Sequence, residues 1–423
     1  MAIIFEDKVA ELNLDRSDWQ LVKFGDVAIQ QKQTVDRENT KLTRYVKGEH
    51  MNSEDLHLRK WGELTDEYLG PAFIRKFEEG DILYGSRRTY LRKVVIAPFE
   101  GITSNTTFVI KANEENIDKM LLPFIMMSEG FTQHSIKNSK GSVNPYVNWK
   151  DLSGYEFLLP PIEKQSVLVD LLGSQDNMLQ ENIRLKKISN TTFKVQQNEG
   201  VLLGLNNESE FCSVLKKNKG KGWHTLAISQ LIEQKILIQI QDGNHGETHP
   251  KSADYVDSGI PFIMANTLNK GLIDFKNCKK LPKTLTDKLR IGFSLPGDIL
   301  LSHKGTVGEV AIVPDEIEWP YIMLTPQVTY YRINPEKLSS QFLYYIFTSS
   351  YFQTQLLTLS SQSTRAYVGI TAQKNLKVVL PDSKDEQDDI VKSLSLIKEN
   401  QVCIDTVIKK AKILQKSLIN QVF

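Results

Sequence analysis

The stretch GDILYGSRRTYLRK runs from Gly80 to Lys93, and a second stretch, GDILLSHKGTVGEV, runs from Gly297 to Val310. Both open on the same four residues and then part in charge and size. The likeness extends in both directions. FIRKFEEGDIL (73–83) matches RIGFSLPGDIL (290–300), and LSGYEFLLPPIEKQ (152–165) matches NLKVVLPDSKDEQ (375–387). Upstream, Trp19 and Trp223 each precede an apolar stretch, WQLVKFGDVA and WHTLAISQLI. Self-similarity at half the chain length marks an internal repeat, and it decides the architecture before any single element does. Each half runs from a Trp, through a mixed region, to a Pro, and then into a long segment of different character.

The mixed regions read as α+β. KVVIAPF, TTFVIKA, YEFLLPP, EVAIVPD, QVTYYRIN and NLKVVLP are short β-branched or aromatic runs bounded by Gly, Pro, Asn or Asp. Helical pieces lie between them, over 116–136 and 337–359. The segments after the prolines are helical throughout. In 384–421, Ile390, Leu394, Ile397, Ile404, Ile408, Ala411 and Leu418 step by three and four, with Gln401 interrupting. In 162–193, Leu168, Leu171, Met178, Leu185 and Ile188 give a looser stripe, weakened by Gly173. At about 1.5 Å per residue each helix extends roughly 50 Å. Two striped helices at matching places predict mutual packing as a coiled coil. The expected organisation is a first domain over 1–160, a spacer helix over 161–195, and a linker over 196–222. A second domain follows over 223–381 and a second helix over 382–423. This is a pseudo-two-fold repeat of two α/β domains and two long helices.

The 423 residues carry 52 basic and 51 acidic side chains, so any phosphate binding must come from local clusters. Hydrophobic content of 40% fits a soluble globular protein, and no apolar run approaches the roughly 20 residues of a membrane span. The opening MAIIFEDKVAELN lacks the pattern of a signal peptide, and the three cysteines form no CxxC, which points to a reducing, cytoplasmic location.

Catalytic signatures are missing. There is no GxxxxGK[ST] loop and no GxGxxG after a strand. HGETH puts His245 and His249 four apart, but in a loop before Pro250 and not on the helix a zinc site of that spacing uses. NPYV (144–147) lacks the second proline of an amino-methyltransferase motif, and PDEIEW and PDSKDEQDD make no nuclease constellation. What remains is a pair of contact loops in each half. GSRRTYLRK offers Arg87, Arg88, Arg92 and Lys93 around Tyr90, and LSHKGTVGE offers Ser302, His303, Lys304 and Thr306 between glycines. NSKGSVNPYVNW brings Lys140, Ser142, Asn144 and Tyr146, and SSQSTRAYVGIT brings Gln362, Ser363, Arg365 and Tyr367. Arg suits bidentate contact with guanine or phosphate, and Asn and Gln read adenine edges.

In this order and repeated twice, these segments resemble the specificity (S) subunit of Type I restriction-modification systems, over essentially the whole chain. RYVKGEHMNSEDLHLRKWG (44–62) and FEEGDILYGSRRTYLRKVVIA (77–97) resemble the first target-recognition domain of that family. DGNHGETHPKSADYVDSGIPFIMANTLNKG (242–271), which brings His245 among the DNA-facing candidates, and LPGDILLSHKGTVGEVAIV (295–313) resemble the second. LPPIEKQ and LPDSKDEQ resemble the domain-to-helix junctions, where Glu-Gln usually follows the turn and the first reads EKQ. The resemblance implies a non-catalytic subunit that binds double-stranded DNA, each domain reading one half of a bipartite, asymmetric site while the helices pair as an antiparallel coiled coil and set the spacer. It implies two methyltransferase subunits, which methylate adenine N6 with S-adenosylmethionine, and restriction subunits that cleave with ATP and Mg. No cofactor or metal is expected in this chain. A specificity component of another phage-defence methylation system, a self-contained adenine methyltransferase or nuclease, and a scaffold without DNA contact stand as alternatives.

Overall fold

A computed structural model describes residues 12–36, 39–202, 223–245, 249–269, 271–361 and 366–423. The first half comprises β1 (Gln20–Lys23), α1 (Phe24–Val27), β2 (Ala28–Gln31), β3 (Arg44–Val46), β4 (Gly62–Glu63), β5 (Phe73–Phe77) and β6 (Ile82–Gly85). It continues with β7 (Val94–Ile96), β8 (Gly101–Ser104), β9 (Thr107–Ala112), α2 (Leu122–Met127), α3 (Glu129–Lys137), α4 (Trp149–Leu152), β10 (Glu156–Leu159) and α5 (Ile162–Leu202). The second half repeats the plan with β11 (Trp223–Ala227), α6 (Ile228–Glu233), β12 (Leu237–Asp242), β13 (Ile260–Ile263), β14 (Leu268–Asn269), β15 (Leu272–Ile273), β16 (Lys279–Leu281) and α7 (Lys283–Thr286). It closes with β17 (Phe293–Ser294), β18 (Ile299–Lys304), β19 (Thr306–Ile312), β20 (Ile322–Leu324), β21 (Val328–Ile333), α8 (Ser340–Phe347), α9 (Ser350–Ser360), α10 (Ile370–Gln373), β22 (Lys377–Pro381) and α11 (Lys384–Val422).

Each domain holds one sheet in the order β2-β9-β6-β7 or β12-β21-β18-β19, all antiparallel. A second sheet, β4-β3-β8-β5 or β16-β13-β20-β17, contains a parallel pair, β3 with β8 or β13 with β20. A two-stranded ribbon joins the start of each domain to its end, β1 with β10 and β11 with β22. The repeated GDIL lies at the centre of the first sheet, and its four residues have separate tasks. Gly80 and Gly297 take φ of +86° and +80°, the left-handed region that favours glycine. The Asp81 carboxylate accepts from the Glu78 N–H at 2.8 Å, and Asp298 from the Leu295 N–H at 2.8 Å, closing the same turn twice. Ile82 and Tyr84 enter the helix-side core with Ile110, while Leu83 enters the opposite core with Val46, Phe77 and Val109. Ile299 and Leu301 divide from Leu300 in the same way. Successive side chains of a strand point to opposite faces, so a strand buried on both sides reads as an unbroken apolar run.

The chain divides into two compact units, Met1–Leu185 with Ile404–Phe423, and Lys186–Cys403. Each unit therefore contains one domain, the start of the helix that follows it and the end of the other long helix. In the first unit, Leu168 and Leu172 of α5 share a core with Leu418, Ile419 and Val422 of α11. The Gln175 amide donates to the Ala411 carbonyl at 2.7 Å, and Gln415 donates to the Asp176 Oδ1 at 2.8 Å. In the second unit, the Gln401 amide donates to the Ser189 carbonyl at 3.2 Å, and Lys398 lies against Phe193. Rising numbers on one helix meet falling numbers on the other, which is antiparallel packing. Gln401, the break in the apolar stripe of α11, thus caps a carbonyl of the facing helix.

The stripe expected on α5 is corrected beyond its first turns. Leu168 is buried and Leu171 partly so, but Met178, Leu185 and Ile188 face solvent. The inward face is Gln165, Leu168, Leu172, Gln175, Asp176 and Leu179, so its polar members hid it from a pattern built on apolar residues alone. The helix also continues to Leu202, past the boundary at 195, and residues 203–222 of the linker lie outside the described residues.

The Gln of both junctions has a structural task. The Gln165 side chain accepts from the Asp118 N–H at 2.7 Å and donates to the Asn116 carbonyl at 3.3 Å and the Pro160 carbonyl at 3.1 Å. Gln387 accepts from the Ser339 N–H at 3.0 Å and donates to the Lys337 carbonyl at 3.2 Å. Buried backbone groups need partners, and one amide offers a donor and an acceptor at once. A Gln at this place therefore fastens each long helix to the domain before it.

Candidate nucleic-acid interface

Past Gly85 the first central strand leaves its sheet, past Ser302 the second leaves β21 and continues only in its hairpin with β19, and each meets a second loop by the same bonds. The Ser86 N–H donates to the Thr106 carbonyl at 3.2 Å, and the Ser86 carbonyl accepts from the Val147 N–H at 2.9 Å. The His303 N–H donates to the Gln327 carbonyl at 2.9 Å, and its carbonyl accepts from the Val368 N–H at 3.0 Å. One residue further, Arg87 bridges to Tyr146, and Lys304 bridges to Tyr367. The two contact loops that are far apart in sequence are thereby neighbours within each domain.

In the first domain Lys140 and Tyr146 exchange backbone bonds of 2.8 and 2.9 Å, closing a small loop that displays Ser142, Val143 and Asn144. Arg88 sits at φ +49°, its N–H donates to the Pro145 carbonyl at 2.7 Å, and its Nε donates to the Asn144 Oδ1 at 2.7 Å. Arg87 is exposed and has no hydrogen bond or ion pair through its guanidinium among the described residues. Tyr90 is 52% exposed and Tyr146 42%. Lys140 pairs with Asp151 at 3.0 Å, and its ammonium holds that carboxyl below the usual carboxylate range. Two cations of the sequence cluster are used internally. Arg92 lies between Glu54 and Glu129, and the Lys93 ammonium donates to the Gly48 carbonyl. Lys93 is thereby tethered at its ammonium.

In the second domain Lys304 and Thr306 are exposed on either side of Gly305, at the tip of the β18–β19 hairpin, with the Lys304 ammonium 5.9 Å from the Tyr367 ring centre. The Gly305 N–H donates to the Ala366 carbonyl at 3.2 Å. Ser302 and His303 are corrected: they are 0% and 1% exposed and lie beneath the loop. The Ser302 hydroxyl accepts from the Glu309 N–H at 2.9 Å, where it shapes the hairpin. The His303 ring lies 3.5 Å from Asp242 and 5.7 Å from the Tyr367 ring. Burial holds this imidazole below its ordinary value, against the opposing pull of Asp242. His245 is exposed, its ring bonded to the Gly243 carbonyl at 3.1 Å. Gln362, Ser363 and Arg365 lie outside the described residues.

A further basic and aromatic feature escaped the sequence reading. Glu49, His50, Arg59, Lys60 and Trp61 line an open cavity of about 630 Å³. Arg44 lies 5.7 Å from the Trp61 ring centre and 4.8 Å from that of Phe99. The only signal in the sequence was the adjacency of two cations to Trp in RKW. Among the described residues, no group of three or more His, Cys, Asp or Glu side chains is placed to hold a metal.

Comparison with known proteins agrees with this doubled plan. The family model for the Type I restriction modification DNA specificity domain matches residues 16–190 and again 221–414. The Type I restriction enzyme MjaVIII specificity subunit of Methanocaldococcus jannaschii is 22% identical over 387 residues, 88% of this chain and 84% of that one. Among solved structures, the Type-I restriction-modification system S subunit from M. genitalium matches with a TM-score of 0.55 at 14% identity, over 97% of this chain and 98% of the other. A chain from a structure of the type I R-M system, described for its complex assembly and conformational transition, matches with a TM-score of 0.58 at 18% identity, over 98% of both chains. At these identities the structural likeness speaks for the fold. The family model, matched twice in succession over most of the residues, decides the rest: the chain belongs to the Type I restriction modification DNA specificity family.

Proposed function

We propose that each domain reads one half of a bipartite DNA site through its paired loops. The observation that carries this reading is the repeated bridge, Arg87 to Tyr146 and Lys304 to Tyr367, on identical backbone bonds with different side chains above it. In the first domain Arg87, Arg88, Tyr90, Ser142, Asn144 and Tyr146 are the contact residues, with Lys140 beside them. In the second they are Lys304, Thr306, Tyr367 and His245, with Ser302 and His303 as supports. Base edges in the major groove are told apart by such donors and acceptors, while phosphate contacts supply affinity without sequence.

The chain itself performs no chemistry in this reading. Two methyltransferase subunits supply S-adenosylmethionine and transfer the methyl group to adenine N6, and restriction subunits supply ATP and Mg for cleavage in the cytoplasm. α5 and α11 set the spacer between half-sites. The exposed apolar residues of α5, Met178 and Leu185 in the first unit and Ile188 and Val195 in the second, support docking of one methyltransferase subunit on each unit, since exposed apolar patches mark interaction surfaces.

Grafting other loops at 86–93 and 138–147 tests the assignment. Single-molecule methylation mapping in cells carrying the full complex is expected to show one half-site changed, with the other half-site and the spacer kept. A graft that leaves both half-sites as they were overturns the loop assignment.

A further inference from the structure

The junction glutamines give the two long helices a common count. Asp176 is the eleventh residue after Gln165, and Lys398 the eleventh after Gln387. The far ends agree. Asn420 accepts from the Glu129 N–H at 2.7 Å, and Asn198 accepts from the Ser350 hydroxyl at 3.0 Å, each at the first residue of a domain helix. Gln415 and Phe193, each five residues before those asparagines, therefore correspond. One repeat position thus carries Asp176 beside Gln415 and the other carries Lys398 beside Phe193.

In the first unit the charge is answered from the recognition domain. The His57 ring donates to the Asp176 carboxylate at 2.7 Å, and Gln415 and Gln180 donate at 2.8 and 3.3 Å. In the second unit nothing of that kind reaches Lys398. Its ammonium lies 4.6, 5.2 and 5.6 Å from the rings of Tyr344, Tyr345 and Phe193 and donates to the Tyr344 hydroxyl at 3.3 Å. No Asp or Glu among the described residues forms an ion pair with it. His57 bridges to Ile96 of β7, and Gly271 bridges to Ala311 of β19, both in parallel sense. Ile96 and Ile312 both pair with the Ile of GDIL, so Leu272 stands where the first unit has His57. The apolar substitution leaves a cavity of about 350 Å³ that is lined by Gly271, Leu272, Ile312, Pro314, Tyr344 and Lys398, among others. Gly271 keeps its wall back: at φ +91° it favours glycine, and a Cβ there would stand 2.5 Å from the Tyr344 hydroxyl.

We propose that this recess is a binding site for a carboxylate, held by the Lys398 ammonium and the Tyr344 hydroxyl while Leu272, Ile312 and Pro314 cover an apolar body. The volume is at the small end of ligand sites, which suits a small organic acid or a single Asp or Glu side chain. Three aromatic faces stabilise an ammonium but leave its N–H groups free to donate, and a carboxylate takes them at close range. Asp315 is also at the recess, exposed and unpaired with Lys398, and marks its solvent side. Burial pushes the Lys398 amine below its ordinary value, and a bound carboxylate opposes that shift by favouring the charged form. The inference stands on side chains of the second unit alone and does not depend on the DNA reading.

Isothermal titration of the full chain with sodium benzoate, and with benzamide as its uncharged counterpart, tests it. Benzoate is expected to bind at one site and benzamide at least tenfold more weakly. Lys398→Met is expected to abolish the difference and Lys398→Arg to keep most of it. Equal binding of the two probes, or undiminished benzoate binding by Lys398→Met, overturns the proposal. Should Lys398→Met not fold, reductive ¹³C-methylation of the unaltered chain lets NMR follow the Lys398 resonance. A shift with benzoate and none with benzamide supports the site, and no shift with benzoate overturns it. The source of the carboxylate follows from assembly with the methyltransferase subunit in saturating benzoate. Weakened assembly assigns the site to an acidic side chain of that partner, and unchanged assembly assigns it to a free acid.

Discussion

The first domain ends its central strand in Ser86, Arg87 and Arg88, and the second ends it in His303, Lys304 and Gly305. The backbone bonds beneath are the same, to Thr106 and Val147 in one and to Gln327 and Val368 in the other. Above them the first loop is closed by a side chain, Arg88 to Asn144, and the second by a glycine at the hairpin tip. The long helices show the same division, with Asp176 in a polar ring and Lys398 in an aromatic one. What the repeat preserves is the set of bonds that main chain and junction glutamines make. What it releases are side chains not needed to make them, which gives a duplicated frame two different loop surfaces.

The sharpest way to break this comparison is at Arg87 and Arg88. If the loops read DNA independently, Arg87→Ala with Arg88→Ala lowers affinity for DNA carrying both half-sites by tenfold or more. This corresponds to about 1–3 kcal/mol for each lost bidentate contact. Fluorescence anisotropy on DNA altered in one half-site at a time is expected to show the loss on first-half sequences, with discrimination in the second half retained. Equal loss on both halves would mean that the arginines serve phosphates common to any sequence.

The next test lies in the helices. Burial pushes the Asp176 carboxyl up, but the His57 ring and the amides of Gln415 and Gln180 outweigh it and hold it below its usual value. A carboxyl depressed in the folded state adds stability that is full above the unfolded value, about 4, and is lost as pH falls through the lower folded value. Asp176→Asn is therefore expected to cost about 1.5–3 kcal/mol at pH 7, the range for hydrogen bonds to a charged group. Urea unfolding followed from pH 7 to pH 3 should show the gap between variant and parent closing. A gap that stays constant through that range would mean that the carboxylate charge adds nothing.

Much of this was legible before any coordinates, because the repeat is written in residues with strict backbone tasks. Gly80 and Gly297 occupy left-handed φ, Asp81 and Asp298 close turns, and Gln165 and Gln387 satisfy buried backbone groups. Such tasks tolerate few residue types and so leave a repeated word. The α5 stripe was misread because an inward helical face need not be apolar: Gln175 and Asp176 are buried through hydrogen bonds, while Met178 and Leu185 face out. The contact loops were found by composition, but composition carries no depth. Ser302 and Lys304 are two residues apart on β18, yet one is buried and the other exposed.

His303 gives the finest test of the comparison, since Ser86 holds its place in the first domain with the same backbone bonds. Neither ring nitrogen has a hydrogen-bond partner among the described residues, and Asp242, at 3.5 Å, already accepts from the Thr329 hydroxyl at 2.6 Å. Burial holds the folded imidazole below its ordinary value, so it takes up its proton at lower pH than in the unfolded chain, which protonates near pH 6.5. Below that value the unfolded state binds more protons, so stability falls as pH falls. Above it the group titrates in neither state and contributes no slope. His303→Ser removes the titrating ring and copies the first domain, so the variant should lose less stability than the parent between pH 6.5 and pH 5. At pH 8 the two should differ by no more than about 1 kcal/mol, because a buried ring without partners is exchanged for a small hydroxyl and some lost packing. Thermal unfolding of both chains across that range decides it. Parallel pH profiles would show that the His303 ring takes up its proton in the folded chain as readily as in the unfolded one. That would make the strand end beneath the second loop as open to solvent as a surface turn.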